Sequence, residues 1–234
     1  MNHTTERYSR NMMMMTPEEN ESLKNAVVAV IGCGGLGGGI IEMLGRLGIG
    51  HIIAVDGDVF EASNLNRQIL SHTRNLGESK AQAAVERMAL VNPDIQVTAI
   101  KEVITAENGV ELLQGTQVIV DAVDRVQTRL MLQQLAENMD VPMVHGAIGG
   151  WFGQVMTIMP KDRTLDMIYS AGTAQGIEKE LGNPSFTPAM VGAVQVSEVL
   201  KLLIGRGSIL RHKMLYIDLF EQEYTILEMP AQAT

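Results

Sequence analysis

Between Val27 and Asp56 the sequence sets out a strand, a glycine turn, a helix, a second strand and an acid, and few folds accept that order. Val27-Val28-Ala29-Val30-Ile31 is an unbroken apolar run of strand length. Gly32-Cys33-Gly34-Gly35-Leu36-Gly37-Gly38-Gly39 follows it, and then Ile40, Ile41, Met43, Leu44 and Leu47 recur at helical spacing up to a Gly48/Gly50 stop. A second apolar run, Ile52-Ile53-Ala54-Val55, ends on Asp56. Glycines permit a tight turn and let backbone N–H groups approach a phosphate, while the helix behind them directs its positive end at the same place. Asp56 stands at roughly the 20-residue offset where a carboxylate meets ribose hydroxyls in such units. A nucleotide is the expected occupant. The glycines alone do not say which one, because Gly32, Gly34 and Gly37 also satisfy the generic pattern of NAD and FAD proteins.

The 234 residues suffice for one large domain with a real core, and 46% hydrophobic with 19% charged residues describes a globular chain. A formal net charge of −9 argues against a general nucleic-acid surface, so an anion site must be local. One cysteine, Cys33, excludes an internal disulfide or a four-cysteine zinc site within this sequence. The start does not read as a signal peptide, and no apolar run reads as a membrane span, so a cytoplasmic protein is expected.

Taken in order, Thr16-Pro17-Glu18-Glu19 predicts a capped short helix, and Met12 to Met15 before it read as core or interface filler. The polar stretch Gly57 to Gln68 leaves the carboxyl end of the second strand, where open parallel sheets place ligands. Glu78-Ser79-Lys80 opens a long helix. Strands are expected at 95–100, 117–121 and 141–144, with helices at about 106–114 and 128–139. This alternation predicts an α/β fold, a Rossmann-like doubly wound parallel sheet in the N-terminal part. Strands at 149–158, 214–219 and 224–227 extend it by antiparallel pairing into one mixed sheet. Between them, 161–184 reads as a mobile loop and 188–204 as an apolar core helix. His51, His72, His145 and His212 show no metal-ligand spacing.

Four motifs then fall in order: Gly32-x-Gly34-Gly35-Leu36-Gly37; Asp56-x-Asp58 with Ser63-Asn64-Leu65-x-Arg67-Gln68; Gly77-x-x-Lys80; and Asp121-Ala122-Val123-Asp124-x-x-x-x-Arg129. Together they resemble the adenylating enzymes of the E1-like superfamily, the group of MoeB, ThiF and HesA proteins, over nearly the whole chain. The resemblance implies a single ThiF-type domain over 1–234, with a nucleotide-binding half at 1–145 and a carrier-binding half at 146–234. It also implies ATP-dependent adenylation of the C-terminal glycine carboxylate of a ubiquitin-like sulfur carrier of the MoaD/ThiS kind, ending in Gly-Gly.

By the same resemblance Gly34, Gly35, Asp56, Ser63, Asn64, Arg67, Lys80 and Asp124 hold the nucleotide. Asp56 takes the ribose, Asn64 orients phosphate, Arg67 and Lys80 grip the β- and γ-phosphates, and Asp124 ligates Mg²⁺. Arg7-Tyr8-Ser9-Arg10-Asn11 is similar to the segment whose second arginine serves the opposite subunit, so Arg10 is expected to act in trans in a homodimer. Two departures shape the expectation. The chain lacks the two Cys-x-x-Cys pairs that hold zinc in many relatives, so no zinc is expected. It also has no cysteine in 161–188, so the reaction should stop at the adenylate and a separate donor should supply sulfur. The competing expectations are an NAD- or FAD-dependent oxidoreductase, a non-catalytic nucleotide-gated scaffold for the carrier, and an enzyme adenylating a modified tRNA base, which the acidic balance disfavours.

Overall fold

The structure is a computed structural model that describes residues 6–11, 13–169 and 178–230. Its frame is one eight-stranded sheet in the order β3-β2-β1-β4-β5-β6-β7-β8. The strands are β1 (Val27–Ile31), β2 (His51–Val55), β3 (Gln96–Ile100), β4 (Val118–Asp121), β5 (Met143–Gly149), β6 (Phe152–Ile158), β7 (Lys213–Asp218) and β8 (Glu223–Glu228). The first five run parallel, and β6, β7 and β8 add on antiparallel. β1 is covered on both faces, which is why its apolar residues do not alternate with polar ones.

The helices are α1 (Pro17–Leu23), α2 (Gly35–Leu47), α3 (Lys80–Val91), α4 (Gly109–Leu112), α5 (Val126–Met139), α6 (Thr164–Ile168), α7 (Glu178–Leu181) and α8 (Phe186–Ile204). Two apolar cores fill the two sides of the sheet. One gathers Ile40, Ile41 and Leu44 of α2, Ala84 and Met88 of α3, and Val191 and Val199 of α8. The other gathers Leu132 and Leu135 of α5 with Ile31, Ile119 and Met143. Because α2 and α8 pack on each other and α8 also lies on β5 and β6, the parallel and antiparallel parts share one core.

The predicted start of α1 is present in full. Thr16 Oγ1 accepts the Glu19 N–H at 3.1 Å, and Glu19 Oε2 accepts the Thr16 N–H at 2.8 Å. Arg206, beyond the end of α8, also binds the Glu19 carboxylate. Arg206 foremost, and the Thr16 amide after it, hold the Glu19 pKa down at about 2 against an ordinary 4.5. A carboxyl held low contributes stability that is fully present above its unfolded value and is lost as pH falls from about 4.5 to about 2. Urea midpoints measured across that window should therefore fall less steeply in Glu19→Gln than in the parent. Thr16→Ala should cost about 1 kcal/mol at neutral pH by the same assay.

Several elements differ from expectation. The run at 149–158 is not one strand: β5 extends to Gly149, the chain turns through Gly150 at φ 54°, and β6 returns from Phe152. The helix expected at 106–114 shrinks to the single turn of α4, because Asn108 turns its side chain onto the Thr105 N–H at 2.7 Å and onto Val103 O. The expected loop at 161–184 contains α6 and α7, with 170–177 outside the described residues. Met15 is buried, whereas Met13 is fully exposed, Met14 is half exposed and Met12 lies outside the described residues. Finally, α8 is by length and composition apolar enough to cross a membrane, at a mean hydropathy of 1.3, contrary to the reading that no run approached a span. Its buried face carries Gln195 and Glu198 into polar contacts with the sheet, as befits a core helix.

Candidate active site

β1 has β2 on one side and β4 on the other, and the connections from these strands leave in opposite directions. Parallel sheets open a crevice at the carboxyl ends of such strands. A cleft of about 620 Å³ occupies that crevice here, in the range of small-ligand sites. Its wall at β1 is the glycine turn. Gly32 has φ 94°, its N–H donates to Val55 O at 2.8 Å, and a Cβ there would lie 2.7 Å from Ala122 O. Only glycine lets the turn sit this close to the β4 loop. α2 begins at Gly35 immediately afterwards, so its unpaired N–H groups face the cleft.

Gly34, Gly35, Asp56, Asn64, Arg67, Lys80 and Asp124 all line this one cleft. Asp56 is anchored by the Cys33 N–H to Oδ2 at 2.7 Å and the Asp58 N–H to Oδ1 at 2.8 Å. Burial pushes its pKa up, and those two N–H groups and the Lys80 ammonium oppose the rise. Lys80, the first residue of α3, is buried with its Nζ 3.1 Å from Asp58 Oδ2. Arg67 donates from one terminal nitrogen to Ser63 O at 3.0 Å and to Asn66 Oδ1 at 2.8 Å. Asn64 Oδ1 accepts the Glu61 N–H at 3.0 Å and closes the 3-10 turn Ala62–Asn64. Asp124 is exposed at the mouth, just after β4.

Two expected residues do not line the cleft. Ser63 is exposed, its hydroxyl turned to Glu61 at 3.5 Å, and it serves the site through the carbonyl that holds Arg67. Arg10 lies in the 3-10 turn Ser9–Asn11, two residues after Tyr8, and Tyr8 packs on Gly48 at the far end of α2. A thirteen-residue helix is about 20 Å long, so Tyr8, just before the turn that carries Arg10, sits at the opposite end of α2 from the glycine turn. Cys33 is fully buried, does not line the cleft, and has its thiol pKa pushed well up, by burial first and by Asp56 next.

Other residues line the cleft without having been given a role in the sequence: Gln68, quoted inside the second motif, Arg125 just past β4, and Glu61, Thr128 and Asn183, the last receiving a hydrogen bond from the Asn66 amide at 3.0 Å. Asp58 was inside a motif but had no partner assigned until Lys80 arrived from 22 residues away. Beneath Asp124, Asp121 and His145 form a fully buried pair at 2.6 Å. A histidine inside the apolar run Met143-Val144-His145 was the available signal.

The lining carries four cationic side chains, Arg67, Lys80, Arg125 and Arg129, against five carboxylates, Asp56, Asp58, Glu61, Glu102 and Asp124. Such a balance receives a polyanion only with the backbone N–H groups of α2 and a bound cation assisting. Among the described residues no group of three or more His, Cys, Asp or Glu side chains could hold a metal by itself. One carboxylate, Asp124, at the mouth of a cleft that a glycine turn and a helix N-terminus wall does fit Mg²⁺, which keeps its waters and leans on substrate phosphates.

Fold and cleft together define a nucleotide-binding α/β protein of the doubly wound class. The chain matches the ThiF family over residues 8–234, and it belongs to that family. It is 32% identical to the SAMP-activating enzyme E1 of Haloferax volcanii, covering 94% of this chain and 83% of that one. It is 33% identical to the sulfur carrier protein adenylyltransferase of Thermus thermophilus, covering 94% and 85%. A crystal structure of E. coli MccB superposes with a TM-score of 0.83 at 20% identity, over 98% of this chain and 71% of that one, and shows the shared fold.

Proposed function

We propose that this protein is an adenylyltransferase that uses ATP to activate the C-terminal glycine carboxylate of a small ubiquitin-like sulfur carrier, giving an acyl adenylate and pyrophosphate. One observation carries it: Arg67, Lys80 and Asp124 meet the glycine turn in a single cleft, in a chain whose relatives are named for this activity. A carboxylate is ionised at neutral pH and needs no general base. The obstacle is the approach of one anion to another and the charge that grows on departing pyrophosphate, which fixed cations relieve.

The backbone N–H groups at Gly34 and Gly35 take phosphate oxygens, Arg67 and Lys80 take the β- and γ-phosphates, and Asp56 accepts the ribose hydroxyls. Lys80 is released to phosphate as Asp58, which is largely exposed, turns to water. Asn64, braced on Glu61, orients phosphate. Asp124 holds Mg²⁺, whose charge offsets that of the phosphates. Zinc has no part in the proposal. The buried thiol of Cys33 is no nucleophile, so the carrier leaves as its adenylate and a separate donor supplies sulfur. Arg10, whose turn follows Tyr8 at the far end of α2, serves the cleft of a second copy in a homodimer.

Intact-mass analysis of a Gly-Gly-ended carrier incubated with enzyme and Mg-ATP tests the reading. The expected product is carrier bearing AMP on its terminal glycine and no carrier–enzyme conjugate. A thioester-linked conjugate, or a thermal stabilisation by NAD that exceeds that by Mg-ATP, would count against it.

A further inference from the structure

The buried Asp121–His145 pair is one link in a longer run of hydrogen bonds that the proposed chemistry does not use. Asp121 and His145 are paired neighbours across the β4–β5 ladder, and both are wholly buried. Burial pulls the imidazole below its usual pKa although Asp121 pulls the other way, so the ring is neutral, with its proton on Nδ1 donated to Asp121 Oδ2. Nε2 is then an acceptor. Facing it are Gln154 Nε2 at 3.2 Å and the Tyr169 hydroxyl at 3.4 Å. The hydroxyl in turn accepts from Arg129 Nη1 at 2.9 Å and from Gln154 Nε2 at 3.0 Å. All these links agree in polarity: Arg129 donates to Tyr169, Tyr169 to His145, and His145 to Asp121.

Both ends of the run close on one residue. Asp121 Oδ1 accepts the Val123 N–H at 3.1 Å. Arg129 donates Nε and Nη2 to Val123 O at 3.2 and 3.0 Å. The peptide groups on either side of Val123 are therefore fixed from below, and the next residue is Asp124 at the mouth of the cleft. Arg129 borders the cleft but is almost wholly buried, with its guanidinium bonded to this backbone and to Tyr169.

Tyr169 brings a distant element to this floor. It follows α6 directly, and α6 is strapped to α5 by Gln133, which accepts the Leu165 N–H at 2.8 Å and donates to Asp166 at 3.1 Å. Arg163 adds ion pairs to Glu137 and Asp166 at 2.9 and 2.7 Å. A hydrogen-bonded network of fixed polarity holds its members in one arrangement, and losing one link loosens those beyond it.

We propose that Tyr169 is a positioning residue for the Asp124 loop: acting through Arg129 and the His145–Asp121 pair, it makes the placement of Asp124 in the cleft depend on the seating of α6. The structural coupling stands on the hydrogen bonds alone, and its effect on rate rests on the proposed adenylation.

Tyr169→Phe keeps the ring and deletes the hydroxyl, and two readouts on the full chain test the proposal. The first is amide hydrogen exchange resolved to residues 122–125. Protection there should fall about tenfold, with β1 and β5 as protected as in the parent. The second is carrier-dependent pyrophosphate exchange, where kcat should fall about tenfold while the KM for ATP stays within about twofold. His145→Gln should lower kcat similarly, and the double variant should be no slower than the slower single, since both cut one chain. Unchanged protection at 122–125 would overturn the proposal. So would a loss of protection across the whole sheet with a matching fall in melting temperature, which marks a merely structural tyrosine. Loss confined to 122–125 in a protein whose parent form shows no exchange with any carrier would uphold the coupling and overturn the adenylation instead.

Discussion

Arg67→Ala and Asp124→Asn are each expected to lower carrier-dependent pyrophosphate exchange by about 10² to 10³-fold, the loss that follows when one preorganised charge is withdrawn from a developing anion. The two variants should fail in distinguishable ways. In its proposed role Arg67 grips phosphates on the way in and on the way out, so Arg67→Ala should raise the KM for ATP as well as lower kcat. Asp124→Asn keeps the shape of the side chain and removes the charge proposed to hold the metal. Its defect should therefore shrink as the Mg²⁺ concentration is raised. Neither change should unfold the protein. Among the described residues Arg67 donates to the carbonyl of Ser63, one turn back, and to the side chain of Asn66, and Asp124 is exposed, so stability should move by no more than about 0.5 kcal/mol. Steady-state kinetics together with a denaturant midpoint check both halves. A variant that loses exchange and stability together would point to folding, and one that loses neither would remove its residue from the site.

Gly37→Ala is expected to abolish folding, although it adds one methyl group to a helix. The Cβ would stand 1.7 Å from the backbone oxygen of Gly32 and 3.3 Å from the Val30 side chain. Backbone cannot rotate away, so α2 would have to lift off β1, an interior strand of the sheet. That displacement opens the core formed by Ile40, Ile41 and Leu44 and widens the glycine turn. Overpacking of this severity costs more than about 3 kcal/mol, a large part of a domain's total stability. Gly39 is the control. It lies two residues further along the same helix, a Cβ there meets nothing within 4 Å, and Gly39→Ala should add about 0.5 to 1 kcal/mol through helix propensity. Thermal melts of the pair should diverge in sign. If both variants melted with the parent, the close approach of helix to strand would not be what the glycines serve.

What could be read from the sequence was whatever depends on neighbours along the chain. The stretch Val27–Asp56 carries its own periodicity, stop signals and acid, and it folds as written. The capping box at Thr16 and Glu19 is local in the same sense, as is the β7–β8 hairpin. Arg67, Lys80 and Asp124 were picked out because motif order stands in for distance, and all three do share the cleft with Gly34 and Gly35.

What escaped depends on register. Asp121 and His145 meet only because β5 pairs with β4 in one particular alignment, and no spacing along the chain encodes a separation of 24 residues. Gln195, inside the helix expected at 188–204, likewise fills the space above Gly146 and donates to Asp121 O at 2.8 Å, which no spacing along the helix announces. The β5–β6 turn was concealed because Gly149-Gly150-Trp151 sits between two runs that read equally well as one strand. Arg10 is a different case: the motif pointed to action on a second copy, and within one chain its turn follows Tyr8, which packs at the end of α2 away from the cleft.

The central claim is that one cleft gathers cations closely enough for a carboxylate to meet ATP, and isotope exchange measures that event without requiring sulfur chemistry to follow. Labelled pyrophosphate should enter ATP when enzyme, Mg²⁺ and a Gly-Gly-ended carrier are combined, and should stop entering when the terminal glycine is removed from the carrier. Exchange that ran at the same rate with the truncated carrier, or no exchange with any intact one, would contradict the account.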